Sequence, residues 1–349
     1  MLTECFSAVA AWARLRMSCL PRAWPRAGLA SVLVLAAAPA FATEAIPPAN
    51  APACDRTCLY GFVDRYLDAL KRHDAKALPW SSAARYTENN VEIPVGEGVW
   101  GTVTGLGSYK VPFADAAQGQ VGVFGAIDEA DATSVFALRL KVARGRISEA
   151  EMVVVRVKDF GALGDGPNPF ANPRFDDKPI LVQNLDPSDR RSREQLIAAA
   201  NGYFDTLQLN DGTLKTQFDP ACNRVENGLQ TTNNPAKPLG PTSALGCAEQ
   251  FRLGVYRYDD RLRARRYPLV DEERGLVLAA GFIDHSGRLG AYRLTDGTPA
   301  VSVIRHPHSF YYLELFKIVG GRIRQIESAF VTVPYDMPSP WGAKPSPTH

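Results

Sequence analysis

The chain repeats itself, and the repeat limits its architecture more than any other feature of its sequence. Arg56-x-x-Leu59 through Tyr66-Leu-Asp-Ala-Leu70 and Asp74 returns 137 positions later as Arg193-x-x-Leu196 through Tyr203-Phe-Asp-Thr-Leu207 and Asp211. Arg85-Tyr-Thr-Glu88-Asn89 is echoed by Arg224-Val-Glu226-Asn227. Asp115, Gly119, Val121, Gly125, Ile127 and Asp128 match Asp271, Gly275, Val277, Gly281, Ile283 and Asp284 at an offset of 156. Lys141-Val-x-x-Gly145-Arg-Ile147 and Glu151 match Lys317-Ile-x-x-Gly321-Arg-Ile323 and Glu327 at 176. Four ordered blocks with rising offsets predict two copies of one domain, the second enlarged by insertions.

Each copy opens with an amphipathic helix. Leu59, Phe62, Val63, Tyr66, Leu67 and Leu70 recur at three- and four-residue steps, as do Leu196, Ile197, Ala200, Tyr203, Phe204 and Leu207. A broken stretch follows, then three strands, which in the first copy are Gln120–Asp128, Ser134–Ala143 and Arg146–Val157. Phe160–Asp189, rich in Gly, Pro and Asp, reads as a linker, and Thr43–Ala53 and Met337–His349 read as Pro-rich terminal segments.

Residues 1–42 carry the marks of an export signal. Arg22 and Arg26 precede the apolar run Leu29–Ala38, and Ala40-Phe41-Ala42 is a small-x-small cleavage site. The run is too short for a bilayer, which takes about 20 apolar residues. The net charge of +2 belongs to this segment, because 35 basic and 36 acidic residues remain beyond it. A near-neutral chain lacks the basic surplus of a nucleic-acid binder and any electrostatic pull toward an anionic membrane. A small molecule is the expected partner, with no nucleic acid and no membrane in the mature form. Export, to the periplasm or beyond, makes disulfides the expected state of Cys54, Cys58, Cys222 and Cys247. Three connectivities are open, with Cys54–Cys58 and Cys222–Cys247 preferred because each stays within one copy; a four-Cys zinc site is the alternative.

A long helix followed by a curled, mainly antiparallel sheet resembles the nuclear transport factor 2-like cone. Its SnoaL-like branch includes polyketide cyclases, dehydratases and ketosteroid isomerase. The resemblance implies an α+β fold of two tandem cone-shaped domains, each a helix packed on a curved sheet. The expected boundaries are 43–53 linker, 54–158 first domain, 159–190 linker, 191–336 second domain and 337–349 tail. It also implies a deep apolar pocket between helices and sheet, in a superfamily where many members are enzymes and others bind or scaffold. The two halves would then pack as an intramolecular pseudo-dimer. No short catalytic motif of the superfamily transfers residue by residue. The ending, Phe316-Lys-Ile-x-x-Gly-Arg-Ile-Arg-Gln-Ile-Glu327 and Val333-Pro-Tyr-Asp-Met-Pro-Ser-Pro-Trp341, is similar to that of a group of exported bacterial proteins.

Residues shared by both copies serve the common fold most simply: Asp68/Asp205, Asp115/Asp271, Asp128/Asp284 and Glu151/Glu327 as caps, turn closers or Arg partners. Glu88-Asn89 and Glu226-Asn227 are the best carriers of the alternative, a polar site kept in both pockets. Glu92 and Trp100 extend the first-copy candidate with a second acid and a stacking wall, against a Gly-rich turn with Trp100 as core. The second copy's insertions hold Cys247 on one and His285, His306 and His308 on the other, and are expected over the open end of the domain. His306 and His308 share a strand face, but His308 and Glu314 stand roughly 20 Å apart along a regular strand, too far for one metal; no metal and no cofactor are expected.

Glu314 is the sharpest candidate. It replaces Leu138 of the first copy on the apolar row Tyr312, Glu314, Phe316, Ile318. A buried carboxyl there would titrate near neutral pH. The alternatives are that this face meets solvent, or that Arg305 or Arg322 neutralises the charge. With His308 or His306 as partner and Tyr312 as donor, Glu314 predicts a cofactor-independent isomerase, dehydratase or cyclase; the rival is a binding or scaffold protein.

Overall fold

The computed structural model describes residues 54–130, 132–156, 170 and 172–342. The expected export signal, Thr43–Ala53 and most of the first part of the expected 159–190 linker lie outside them. The first half runs α1 (Arg56–Lys71), β1 (Trp80–Glu88), β2 (Val91–Glu92), β3 (Val103–Asp115), β4 (Gln120–Glu129), β5 (Ala132–Ala143) and β6 (Arg146–Val155). After a short α2 (Pro179–Val182), the second half runs α3 (Arg193–Leu207), β7 (Phe218–Glu226), β8 (Leu229–Gln230), α4 (Cys247–Leu253), β9 (Arg261–Asp271) and β10 (Leu276–His285). The small hairpin β11 (Ala291–Arg293) and β12 (Pro299–Val301) precedes β13 (His308–Val319) and β14 (Arg322–Val333). The fold is α+β, and its two six-stranded sheets have the same order, β2-β1-β6-β5-β4-β3 and β8-β7-β14-β13-β10-β9. In each sheet one central pairing is parallel, β1 with β6 and β7 with β14, and the rest are antiparallel.

Irregularities repeat along with the order. The register slips between Trp80 and Arg85 against β6 and again between Ile323 and Gln325 against β7. It slips at Lys141/Val142 and at Lys317/Ile318 in the two long hairpins. Their tips, Arg144-Gly145 and Gly320-Gly321, take positive φ at both residues, as type I′ turns require. The "broken stretch" expected after each helix in fact contains two further long strands, β1 and β3 in the first half and β7 and β9 in the second. Gly105, Gly107 and Pro112, with two register shifts, interrupt the alternation of β3.

Strand alternation gives each sheet two buried faces. Phe136, Leu138, Leu140, Met152 and Val154 turn toward α1 and the first half's own interior. Their neighbours Val135, Ala137, Val153 and Val155 join a core shared with Tyr311, Leu313, Leu315, Ala329 and Val331 of the second half. Leu313 and Leu315 are apolar for that reason.

Ion pairs across this contact are exchanged between equivalent residues. Arg56 on α1 reaches Asp271 on β9, and Arg193 on α3 reaches Asp115 on β3 at 2.6 Å. Each aspartate also accepts the backbone N–H three residues on, Gln118 at 3.2 Å and Arg274 at 3.1 Å. This is the reciprocity of a twofold interface, built within one chain. Between the halves, fully buried Glu151 pairs with Arg139 at 2.6 Å and Arg266 at 2.5 Å, and accepts the Tyr311 hydroxyl. Burial opposes its ionisation, but the two guanidinium groups and the hydrogen bonds outweigh it and hold the carboxyl at about 2. Its counterpart Glu327 accepts Tyr109 at 2.6 Å and has only Lys178, 3.6 Å away, so burial dominates and its pKa rises.

Two segments expected to be plain connections do more. In the 159–190 linker, Arg174 N–H donates to the Gly228 carbonyl at 2.8 Å, and Leu181 is buried. The start of the 337–349 tail docks on the first half: Asn90 donates to the Pro338 carbonyl and Arg85 to that of Pro340. Trp341 lies 4.7 Å from the Arg139 guanidinium and 5.8 Å from that of Arg266. It covers the cations that neutralise Glu151. Residues 343–349 lie outside the described set.

Glu151 makes the contact acid-labile. Its folded pKa is below its ordinary 4.5, so its contribution is complete above 4.5 and is lost as pH falls toward 2. Glu151→Gln leaves Arg139 and Arg266 without this counter-charge and is expected to cost about 3–5 kcal/mol at pH 7. Chemical denaturation of both proteins at pH 7 and pH 3 checks this: the gap should shrink at the lower pH.

Candidate functional site

The second half encloses a cavity of about 450 Å³. Its floor comes from three adjacent strands whose residues fall in register, Glu226 on β7, Ser328 on β14 and Glu314 on β13. Arg224 stands two residues before Glu226 on the same face of β7, and α3 supplies Tyr203 from its buried stripe. Phe310 and Phe330 form the aromatic wall, joined by Phe170 from the segment between the halves. Both insertions close over the open end, one through Pro238 and Leu239, the other through Val303 and Ile304.

The same three register positions in the first half are Glu88, Met152 and Leu138, and all three are buried. Trp100 is 1% exposed and packs edge-on to Tyr66 at 5.1 Å. Glu88 accepts the Val99 N–H at 2.7 Å, the Tyr86 hydroxyl at 3.2 Å and Arg156 at 3.0 Å. Gly98 is needed in that turn, since a Cβ there would lie 2.3 Å from the Glu88 carboxylate. Trp100 is therefore a plug and not a stacking wall, and Glu88 anchors the turn that carries it. Three changes open the second copy: Met152 becomes Ser328, Arg156 becomes Thr332, and Trp100 loses its counterpart to the first insertion. Strand register, against the Arg85–Arg224 sequence echo, also sets Arg224 where Tyr86 stands in the first copy.

Arg224 is fully buried and fixed on all sides. It donates to Gln250 at 2.7 Å and Thr231 at 3.2 Å, meets the Tyr256 hydroxyl, and pairs with Glu226 at 3.4 Å. The Cys222–Cys247 disulfide ties β7 to the first residue of α4, the helix that presents Gln250. The crosslink thus holds the clamp on Arg224. Cys54–Cys58 closes the start of α1, so the preferred pairing is the one formed and a four-Cys zinc site is not.

Glu314 is 3% exposed and lines the cavity. Neither Arg305 nor Arg322 reaches it, and among the described residues no cation forms an ion pair with it. Burial pushes its pKa up to about 8, with help from the nearby charge of Glu226; Arg224 and a hydrogen bond from Tyr203 pull the other way without cancelling this. Asp259, also on the cavity wall, is buried, raised by desolvation, and held by His285 Nε2 at 2.9 Å.

The expected pairing of Glu314 with a histidine does not form. His308 opens β13, six residues from Glu314, and stacks on His285 with ring centroids 4.6 Å apart. Its Nδ1 donates to the His306 carbonyl at 2.9 Å, and burial lowers its pKa to about 4, so it is neutral at pH 7. His306 itself is exposed. Tyr312 does line the cavity, but its ring stacks on Phe204 and its hydroxyl sits against Gly281. Asn89 and Asn227 are turn residues at positive φ, and their amides bridge Val154 and Phe330 like an extra strand residue. Glu92 is exposed on the edge strand, 3.6 Å from Arg85.

Arg224, Tyr203, Tyr256 and Asp259 were not among the candidates. The comparison that exposed Glu314 against Leu138 would have flagged Ser328 against Met152, whereas the sequence echo set Arg224 against Arg85, and only strand register places it opposite Tyr86.

A family model described as a domain of unknown function (DUF8021) matches residues 189–330, the half that holds the cavity. No curated protein matches the chain. Among solved structures, the chain is similar to a de novo designed protein with a curved β-sheet, at 18% identity over 29% of this chain and 88% of that one, with a TM-score of 0.25. A protein from Sphaerobacter thermophilus is similar at 10% identity over 27% of this chain and 94% of that one, with a TM-score of 0.23.

A buried acid with a raised pKa destabilises the protein as pH rises. The native state holds the Glu314 proton up to about 8 and the unfolded state only to 4.5, so stability is lost progressively across that window. Glu314→Gln removes this loss, and its advantage over the wild type is expected to grow to on the order of 2–4 kcal/mol by pH 9. Urea denaturation of both proteins from pH 5 to 9 measures it; parallel curves would show that Glu314 ionises freely.

Proposed function

We propose that this chain is an exported enzyme of two fused, cone-shaped domains of the nuclear transport factor 2-like, SnoaL-like kind, with its single working site in the second. The reading rests on one observation: a buried carboxyl with no cation paired to it among the described residues, its pKa pushed up by that burial, lines an open, aromatic-walled cavity where the first copy has a fully buried leucine. Loss of packing in one of two copies calls for a compensating use, since an empty cavity costs stability. Absence of a helix long and apolar enough to cross a membrane among the described residues, and two disulfides, fit an exported chain.

The volume suits a small molecule and the walls suit one that is partly apolar. Glu314 gives or takes the proton in an isomerisation, dehydration or cyclisation. Arg224, Glu226 and Tyr203 set the field in which it does so, and the insertions exclude water. The first domain serves as the rigid base.

A binding protein is the second reading. It is favoured by the way Arg224 and Glu226 answer each other and by the distance of His308, which leave Glu314 without a histidine partner on the cavity floor.

Mass spectrometry of small molecules retained by protein purified from its own host separates the two. Ser328→Met, which restores the first copy's residue, is expected to fold and to retain none. With the retained molecule in hand, Glu314→Gln should lower its turnover by about 10²-fold or more. A ligand recovered unchanged from wild type and Glu314→Gln alike is the outcome expected of a binder.

A further inference from the structure

We propose that the ligand of this cavity is an amphipathic amine, a protonated amino group on an apolar ring-sized body, and that Glu314 releases its proton to receive it. The inference rests on the reading of the cavity as a small-molecule site and names the chemistry of its occupant.

Inside the cavity one carboxyl group has neither a guanidinium nor an imidazole partner among the described residues. Three carboxyl groups line it, Glu226, Asp259 and Glu314, against one guanidinium, Arg224. Arg224 is matched by Glu226, and Asp259 is held by His285. Glu314 is left over, neutral for want of a counter-ion, and buried where a fresh charge needs one. An ammonium group supplies it.

The walls agree. Tyr203, Tyr256, Tyr258, Phe310 and Phe330 line the cavity with ring faces and edges, and desolvated ring faces attract cations. Leu239 and Val303, 42% and 51% exposed, give the two insertions apolar lips for the rest of the body. An anionic ligand meets the opposite conditions. The nitrogens of Arg224 are engaged by Thr231, Tyr203, Gln250 and Tyr256. Any anion beside them would also face Glu226.

The step balances without a further reactant. A protonated amine enters from solution, the Glu314 carboxyl loses its proton to the buffer, and a carboxylate–ammonium pair remains. Binding at pH 7 therefore releases about one proton per amine, less the fraction already ionised.

Isothermal titration calorimetry at pH 7, in two buffers of different ionisation enthalpy, tests this with three indoles of matched size. Tryptamine carries the ammonium, tryptophol a hydroxyl and indole-3-acetate a carboxylate. Tryptamine is expected to bind at least tenfold tighter than the other two, with a heat that shifts between buffers by about one proton. Glu314→Gln should abolish both the preference and the shift; should it fail to fold, Glu314→Leu carries the same comparison. Tryptophol or indole-3-acetate binding as tightly as tryptamine, or a buffer-independent tryptamine heat, overturns the amine. If either of those congeners binds the wild type and not Ser328→Met, the cavity's small-molecule role survives that failure. Equal binding of tryptamine to Ser328→Met removes both readings.

Discussion

The two sheets spend the same face on each other, and that contact decides what the remaining face of each can become. Val135, Ala137, Val153 and Val155 of one half meet Tyr311, Leu313, Ala329 and Val331 of the other. The exchanged pairs Arg56–Asp271 and Arg193–Asp115 set their relative position. Charged groups inside such a contact are costly unless every one is answered. Glu151 is answered by Arg139, Arg266 and Tyr311, with Trp341 of the docked C-terminal segment laid across the cations. With the shared face committed, each half has only the side under its own helix in which to vary.

There the copies part. One fills the space with Trp100 and pins the plug through Glu88; the other withdraws Met152, Arg156 and Leu138 in favour of Ser328, Thr332 and Glu314. The filled copy contributes packing that the opened copy gives up, a division of labour that one domain alone would find harder to sustain. The crosslink Cys222–Cys247 lies where packing was lost, beside Arg224, and closes a 25-residue separation worth about 3–4 kcal/mol of chain entropy.

Much of this architecture was legible from the residues. Helix stripes, the β4–β6 strands, the hairpin turns and the preferred disulfide pairing follow from period, turn chemistry and comparison of copies, which also singled out Glu314 while leaving its burial open. Strand β3 was hidden because glycines, a proline and two register shifts erase its alternation, and β1 because its first residues are half-exposed and polar. The docking of Trp341 on Arg139 joins positions too far apart in sequence for any local pattern to register. The histidines misled for a physical reason: a short His-x-His motif draws attention, yet His308 is consumed by stacking on His285 and by its own backbone turn. Arg224 escaped notice because the repeat sets it against Arg85 as a shared arginine, and the one-residue difference that makes Tyr86 its true equivalent shows only in strand register.

Everything proposed for the second half depends on Glu314 being a protonated acid in the folded protein at neutral pH. Carboxyl carbon NMR of ¹³C-glutamate-labelled protein, with the Glu314 resonance assigned by its absence in Glu314→Gln, follows that group alone. The account predicts a titration midpoint near 8, far above the 4.5 of an ordinary glutamate. A midpoint at or below 4.5 would contradict it, and the opened copy would then hold a plain carboxylate with no proton to give.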